Sequence, residues 1–156
     1  MSDPEGQLLQ LRLQQDDVWP PFDCEEVRGQ PVGDHRYRVL TPPAFAKRLA
    51  VDDIVTASPD ATGRMWINAM VERGAHSTIR VILLQPGRES ELTSALTAQG
   101  CRVGPSPLPG LLTVDVPESV DYAEVRSLLE AGERRGEWEF QESAVSLHHD
   151  LGTHAR

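Results

Sequence analysis

The sequence predicts an α+β protein in two parts: a small antiparallel β-barrel or roll over residues 1–75, then an α+β sandwich over residues 76–146. A polar tail, 147–156, is expected to be mobile. Two observations predict this organisation. In the first half, short apolar–polar alternations are interrupted by turn residues roughly every 8–12 positions, the spacing of a small barrel. In the second half, two amphipathic helical patterns fall between strand-like runs, which places two helices on one face of a sheet. With 156 residues, 39% of them apolar and 25% charged, the chain can bury a core.

In the first half, "LLQLRLQ" alternates with Leu9, Leu11 and Leu13 on one face. "DDVWPPFDCEEV" follows, where two adjacent prolines forbid regular structure between Trp19 and Phe22. Either these aromatics dock on the barrel, or Trp19, Pro20, Pro21 and Phe22 form an exposed recognition lip. "EEVRGQPVGDHRYRVL" reads as two strands around the turn "VGDH". "TPPAFAKRLAVDD" is a proline-started connection with one helical turn, leading to the strand "DIVTASP". After the turn "DATG", "RMWINAMVE" alternates, with Met65, Ile67, Ala69 and Val71 on one face and Trp66, Asn68 and Met70 on the other.

In the second half, "STIRVILLQ" is a strand and "GRESELTSALTAQG" a helix that turns Leu92, Ala95 and Leu96 inward and stops at Gly100. "CRVGPSPLPGLLTVDVP" has the turn chemistry to supply two strands across "GPSPLPG". "DYAEVRSLLEAGERRGE" is the clearest helix. Asp121 and Glu124 have capping-box spacing, Tyr122, Val125, Leu128 and Leu129 form its apolar stripe, and Glu130 and Arg134 are spaced as an i,i+4 pair. "WEFQESAV" is the last strand. This order predicts a ferredoxin-like split βαβ sandwich that shares a central strand with the barrel.

The formal charge of −9, from 24 acidic against 15 basic side chains, repels a phosphate backbone and favours a basic partner, so nucleic acid is disfavoured. No apolar run is long enough to cross a bilayer, and the acidic start "MSDPEGQLLQ" lacks the features of a secretory leader. A cytoplasmic protein is expected, with Cys24 and Cys101 as buried free thiols. There is no G-x-G-x-x-G, Walker loop or G-x-S-x-G, so no cofactor is expected and nucleophilic catalysis has no local signature. "HHD" with His154 is the one histidine cluster, and adjacent histidines in a terminal tail seldom close a metal site. Asp16-Asp17, Glu25-Glu26 and Asp52-Asp53 read as solvated surface, since neighbours on a strand point apart.

The stretch "GAHSTIRVILL" carries the densest polar chemistry. As a strand it puts His76, Thr78 and Arg80 on one face and Ser77 on the other, which counts against a local serine–base pair. The first three could bind an anion or carboxylate. The competing expectation is structural: Arg80 pairs with an acid of the adjoining half and His76 caps a turn.

"PPFDCEEV", "HRYRVLTPPAFAKRLAVDDIV", "GRMWINAMVERGAHSTIRVILL" and "LLTVDVPESVDYAEVRSLLEAGERRGEWEFQESAV" resemble, in order, a bacterial family of uncharacterised proteins, the domain of unknown function 4265. The resemblance implies no activity. It matches Gly74, His76, Ser77, Thr78 and Arg80 to a glycine and histidine before Ser-Thr-x-Arg. This chain departs by inserting Ala75, and by Asp52-Asp53 where Gly-Asp is usual, which argues against a tight turn there.

The sequence therefore points to a non-enzymatic binding, accessory or regulatory protein, immunity-like in kind, whose partner is a protein or a small ligand. The alternative is a small enzyme or sensor with an anion site at His76, Thr78 and Arg80 between the halves.

Overall fold

Alternating apolar residues and tight turns build the first of two compact units, which divide after Gly74 in a computed structural model describing residues 6–149. Strands β1 (Gln7–Arg12), β2 (Cys24–Gly33), β3 (Arg36–Val39), β4 (Ile54–Pro59) and β5 (Met65–Glu72) close, in that order, into a barrel. Successive strands are antiparallel. The closing seam between β1 and β5 is parallel and short, pairing Leu9 with Met65 and Gln10 with Trp66. Closure leaves no edge strand exposed to unwanted pairing.

Leu9, Val27, Val39, Leu49, Val55 and Ala57 fill the barrel, with Leu11, Tyr37, Met65 and Ile67 packed against them. The alternation expected along β5 holds only at its start. Register slips at Ile54/Val55 and Thr56/Ala57 re-aim the strand, and Val71 is left exposed. The helical turn expected in "TPPAFAKRLAVDD" does not form. The backbone N–H groups of Ala44, Phe45 and Ala46 go instead to the Glu25 carboxylate at 2.7–3.0 Å. A tight turn does form at Ala50–Asp53, with Asp52 at φ +76° taking the left-handed position where glycine is more usual.

The second unit runs strand, helix, strand, strand, helix, strand: β6 (Ser77–Leu83), α1 (Glu89–Ala98), β7 (Arg102–Pro105), β8 (Leu111–Val116), α2 (Tyr122–Arg134) and β9 (Trp138–Ala144). The four strands form one antiparallel sheet in the order β7-β8-β6-β9. Leu92 and Leu96 of α1 and Val125 and Leu129 of α2 share one core with Ile79, Val81, Val114 and Val116, so both helices cover the same sheet face. Asp121 caps α2 by accepting from the backbone N–H groups of Ala123 and Glu124. Glu130 pairs with Arg126 one turn earlier, at 3.4 Å, and not with Arg134 as its spacing suggested. Gly100, at φ +103°, ends the α1 segment in the conformation a glycine stop supplies.

Two expectations are corrected. The barrel and the sheet share no strand: β6 pairs with β8 and β9 only, because the polar break at 73–76 interrupts the chain between β5 and β6. The tail does not begin at 147, since Leu147–His149 form a 3-10 turn in which His149 is buried and hydrogen-bonded. The rest of the expected tail, with His154, lies outside the described residues. No helix among the described residues is long and apolar enough to cross a membrane.

Gly132 lies in α2 because Trp138 leans directly on it. A Cβ there would overlap the Trp138 indole, which is itself anchored by donating to the Leu129 carbonyl at 2.9 Å. On an exposed helix, Gly→Ala gains about 1 kcal/mol. Here Gly132→Ala is expected to destabilise the second unit by about 1–3 kcal/mol through overpacking, seen as a lowered melting temperature and an altered Trp138 near-UV signal.

Candidate functional site

Strand β6 is central in its sheet, and its first five residues, Ser77 to Val81, are all buried. Ile79 and Val81 face the helices, while Thr78 and Arg80 share the opposite face with Thr113 and Asp115 of β8, all four at most 3% exposed. Buried polar groups must find partners inside the protein. His76 Nδ1 lies 2.7 Å from Asp115 Oδ1. Arg80 donates to Gln141 Oε1 and Ser143 Oγ of β9, both at 3.3 Å. Thus His76, Thr78 and Arg80 do stand together on one sheet face, as their spacing predicted, and Asp115 joins them from a strand the sequence did not connect to them.

Sequence reasoning missed the other histidine. Ser77 Oγ lies 2.7 Å from His149 Nδ1, although the two residues are 72 positions apart. His149 Nε2 lies 2.9 Å from the Pro117 carbonyl. A carbonyl only accepts, so Nε2 carries the proton in the neutral ring, Nδ1 accepts, and Ser77 donates. Ser77 also accepts from the backbone N–H of Ser146 at 2.9 Å. The ring stacks on Tyr122 at 5.0 Å, and Tyr122 donates its hydroxyl to Glu142 at 2.7 Å. A serine facing the acceptor nitrogen of an oriented histidine is the arrangement of a nucleophile and its base. Here Ser77 is 0% and His149 2% exposed, so the pair acts as a staple joining β6, the turn after β8 and the 3-10 turn. Burial holds the His149 imidazole below its ordinary pKa, which keeps it neutral.

The first unit presents a different surface. After β1, Asp16 and Trp19 exchange backbone hydrogen bonds around Asp17 and Val18, and Gln15 donates to the Pro20 carbonyl. Trp19 and Phe22 both pack on Phe45, with ring centroids 5.8 and 5.6 Å away. Phe45 is buried, yet Trp19 remains 45% and Phe22 38% exposed, with Val18 beside them at 83%. Pro20 is buried and Pro21 exposed. The aromatics therefore dock and remain accessible at once. Their seat is Glu25, whose carboxylate gathers the backbone around Phe45. Glu25 and the fully buried Asp53, which accepts from Ala50 and Gly74, correct the reading of these acidic pairs as solvated surface.

Both cysteines are free; Cys101 is buried and Cys24 only half-buried. Burial raises both thiols above their ordinary pKa, Cys101 to about 11, so neither is an activated nucleophile. Among the described residues no group of three histidine, cysteine or acidic side chains could hold a metal.

The family model described as "Domain of unknown function (DUF4265)" matches residues 25–140. No curated protein matches the chain. Among solved structures, it is similar to a "Novel crystal structure of a hypothetical protein from Neisseria gonorrhoeae", with 15% identity and a TM-score of 0.76 over 94% of this chain and 99% of that one. At that identity the likeness speaks to the fold alone.

Two outcomes follow from the buried groups. The folded pKa of His149 is depressed, so its contribution to stability is present above the unfolded value of 6.5 and is lost as the pH falls through the lower folded value. Stability should therefore fall as the pH is lowered through and below 6.5, at a slope of at most about 1.4 kcal/mol per pH unit from this group, read as a lower melting temperature, and His149→Gln should flatten that dependence. Glu25→Ala strands three backbone donors and should cost about 2–3 kcal/mol, with Trp19 fluorescence shifting to the red as its platform loosens.

Proposed function

The chain belongs to the family of the domain of unknown function 4265, and on that premise we propose that it is a non-enzymatic binding and accessory protein that docks a basic protein partner through the Trp19, Pro20, Pro21 and Phe22 segment, with Trp19, Pro21 and Phe22 as its accessible members. The observation that carries this reading is the exposure of Val18, Trp19 and Phe22 on a buried Phe45 seat. Large aromatics left half in water on a rigid base supply binding energy at low entropic cost, and they dominate protein interfaces.

The acidic rim selects the partner's chemistry. Asp16, Asp17 and Asp23 flank the aromatics and are exposed, and the chain carries a formal charge of −9. Such a lip favours a basic segment with one or two apolar anchors, steered in by charge and held by burial. The competing reading, an enzyme or sensor with an anion site at His76, Thr78 and Arg80, draws less support. Thr78 and Arg80 are at most 3% exposed, and His76 already faces Asp115. A cytoplasmic setting fits the two free thiols. The βαββαβ order and the β7-β8-β6-β9 sheet support reading the second unit as ferredoxin-like.

Affinity capture from host extract, comparing the native chain with the Trp19→Ala/Phe22→Ala double variant, tests the proposal. A basic protein should be retained by the native chain at low salt, weakened by raised salt, and bound at least about 30-fold less tightly by the variant. Retention of the same proteins by both, or capture insensitive to salt, defeats the reading.

A further inference from the structure

We propose that the outer face of the barrel carries an oxyanion site, built by Arg12, Arg64 and Trp66, that takes the phosphate group of a small phosphorylated molecule. The site arises from the parallel seam. Gln10 pairs with Trp66 across β1 and β5, so residues two positions away, Arg12 on one side and Arg64 on the other, project from the same face. The Arg12 guanidinium lies over the Trp66 ring, 4.2 Å from its centroid, and that of Arg64 lies 5.5 Å away. Two cations thus converge on one indole.

Both retain donors to spare. Stacking uses the face of a guanidinium and leaves its edge N–H groups uncommitted. Among the described residues the Arg12 guanidinium makes no hydrogen bond or ion pair, and Arg64 spends its side chain on a single bond to Gln10 Oε1 at 2.9 Å. Elsewhere in this acidic chain arginines do face carboxylates, as Arg88, Arg126 and Arg135 do. The carboxylate nearest Arg64 in sequence, Asp60, already serves four other donors. It accepts from Thr62 N, Thr62 Oγ1, Arg64 N and Trp66 Nε1 at 2.7–3.0 Å, and so fixes the turn and the indole. Gln10, which orients Arg64, is itself held by donating to Glu26 at 2.8 Å. Cys24, opposite Arg12 in the β1–β2 register, is kept protonated by burial and by Asp23, and offers the arginines no anion.

These are the parts of a preorganised fork: planar donors held by a ring whose own position is fixed by a carboxylate. A phosphate group presents three oxygens and up to two charges, enough to engage both guanidiniums; a carboxylate offers two oxygens and one charge. The overall charge of −9 opposes a long polyanion, which favours a small ligand over a nucleic-acid strand. The inference is independent of the partner lip, since it uses none of its residues.

The probe is inorganic pyrophosphate, titrated into the full chain at constant ionic strength set with sodium chloride. The readout is the Trp66 indole N–H resonance, assigned by its disappearance in Trp66→Phe. A saturable shift is expected, weakened about tenfold or more by Arg12→Gln and by Arg64→Gln at unchanged melting temperature, and only partly restored by Arg12→Lys, which keeps charge without the fork. A non-saturating response, equal binding by the glutamine variants, or binding of a single-stranded oligonucleotide without pyrophosphate overturns the proposal.

Discussion

Strand β6 imposes the governing constraint. It is central in its sheet and buried along Ser77 to Val81, yet three of those five residues are polar or charged. A strand in that position cannot leave a hydroxyl or guanidinium unmatched, because water is not there to compensate. The surroundings are consequently arranged around it: Asp115 on β8 for His76, Gln141 and Ser143 on β9 for Arg80, and His149 beyond the sheet for Ser77. Each of these polar groups on and beside β6 thus has a partner inside the second unit. The Ser77–His149 pair has the geometry of a nucleophile beside its base, and both side chains are closed to solvent.

The barrel solves a related problem with carboxylates instead of helices. The connection between β3 and β4 carries donors that a helical turn would have satisfied, and Glu25 collects three of them from β2. Asp53 does the same for Ala50 and Gly74 from a fully buried position. Charged acceptors make stronger bonds to backbone N–H groups than neutral ones do, so two side chains can order a long irregular segment. That order also shapes the surface around Trp19 and Phe22. By holding the backbone at Phe45, Glu25 gives the half-exposed Trp19 and Phe22 a buried ring to pack on, which is what the proposed docking surface rests on.

Acidic side chains in this chain therefore divide by role. Some hold backbone, like Glu25, Asp53 and Asp60. Some neutralise arginines, like Glu137 and Glu142. Asp16, Asp17 and Asp23 remain exposed around the lip. Net charge alone does not separate these groups.

Local pattern determined a good deal by itself. The two-part α+β organisation, the turn at Asp34-His35, the helix from Asp121 onward and the shared face of His76, Thr78 and Arg80 all follow from spacing, because side-chain periodicity and capping act within a few residues. The fate of each polar group did not. Alternation separates Ser77 from His76, but the partner of Ser77 comes from a segment that reads as a loose tail. Glu25 and Asp53 look like surface acids until closure of the barrel brings backbone donors to them. The bulged register that exposes Val71, and the seam that gathers Arg12 and Arg64 on Trp66, likewise depend on which strand closes on which. Periodicity is a property of neighbours along the chain, whereas satisfaction of a buried donor is settled by residues tens of positions away, and only the tertiary structure decides which of them arrive.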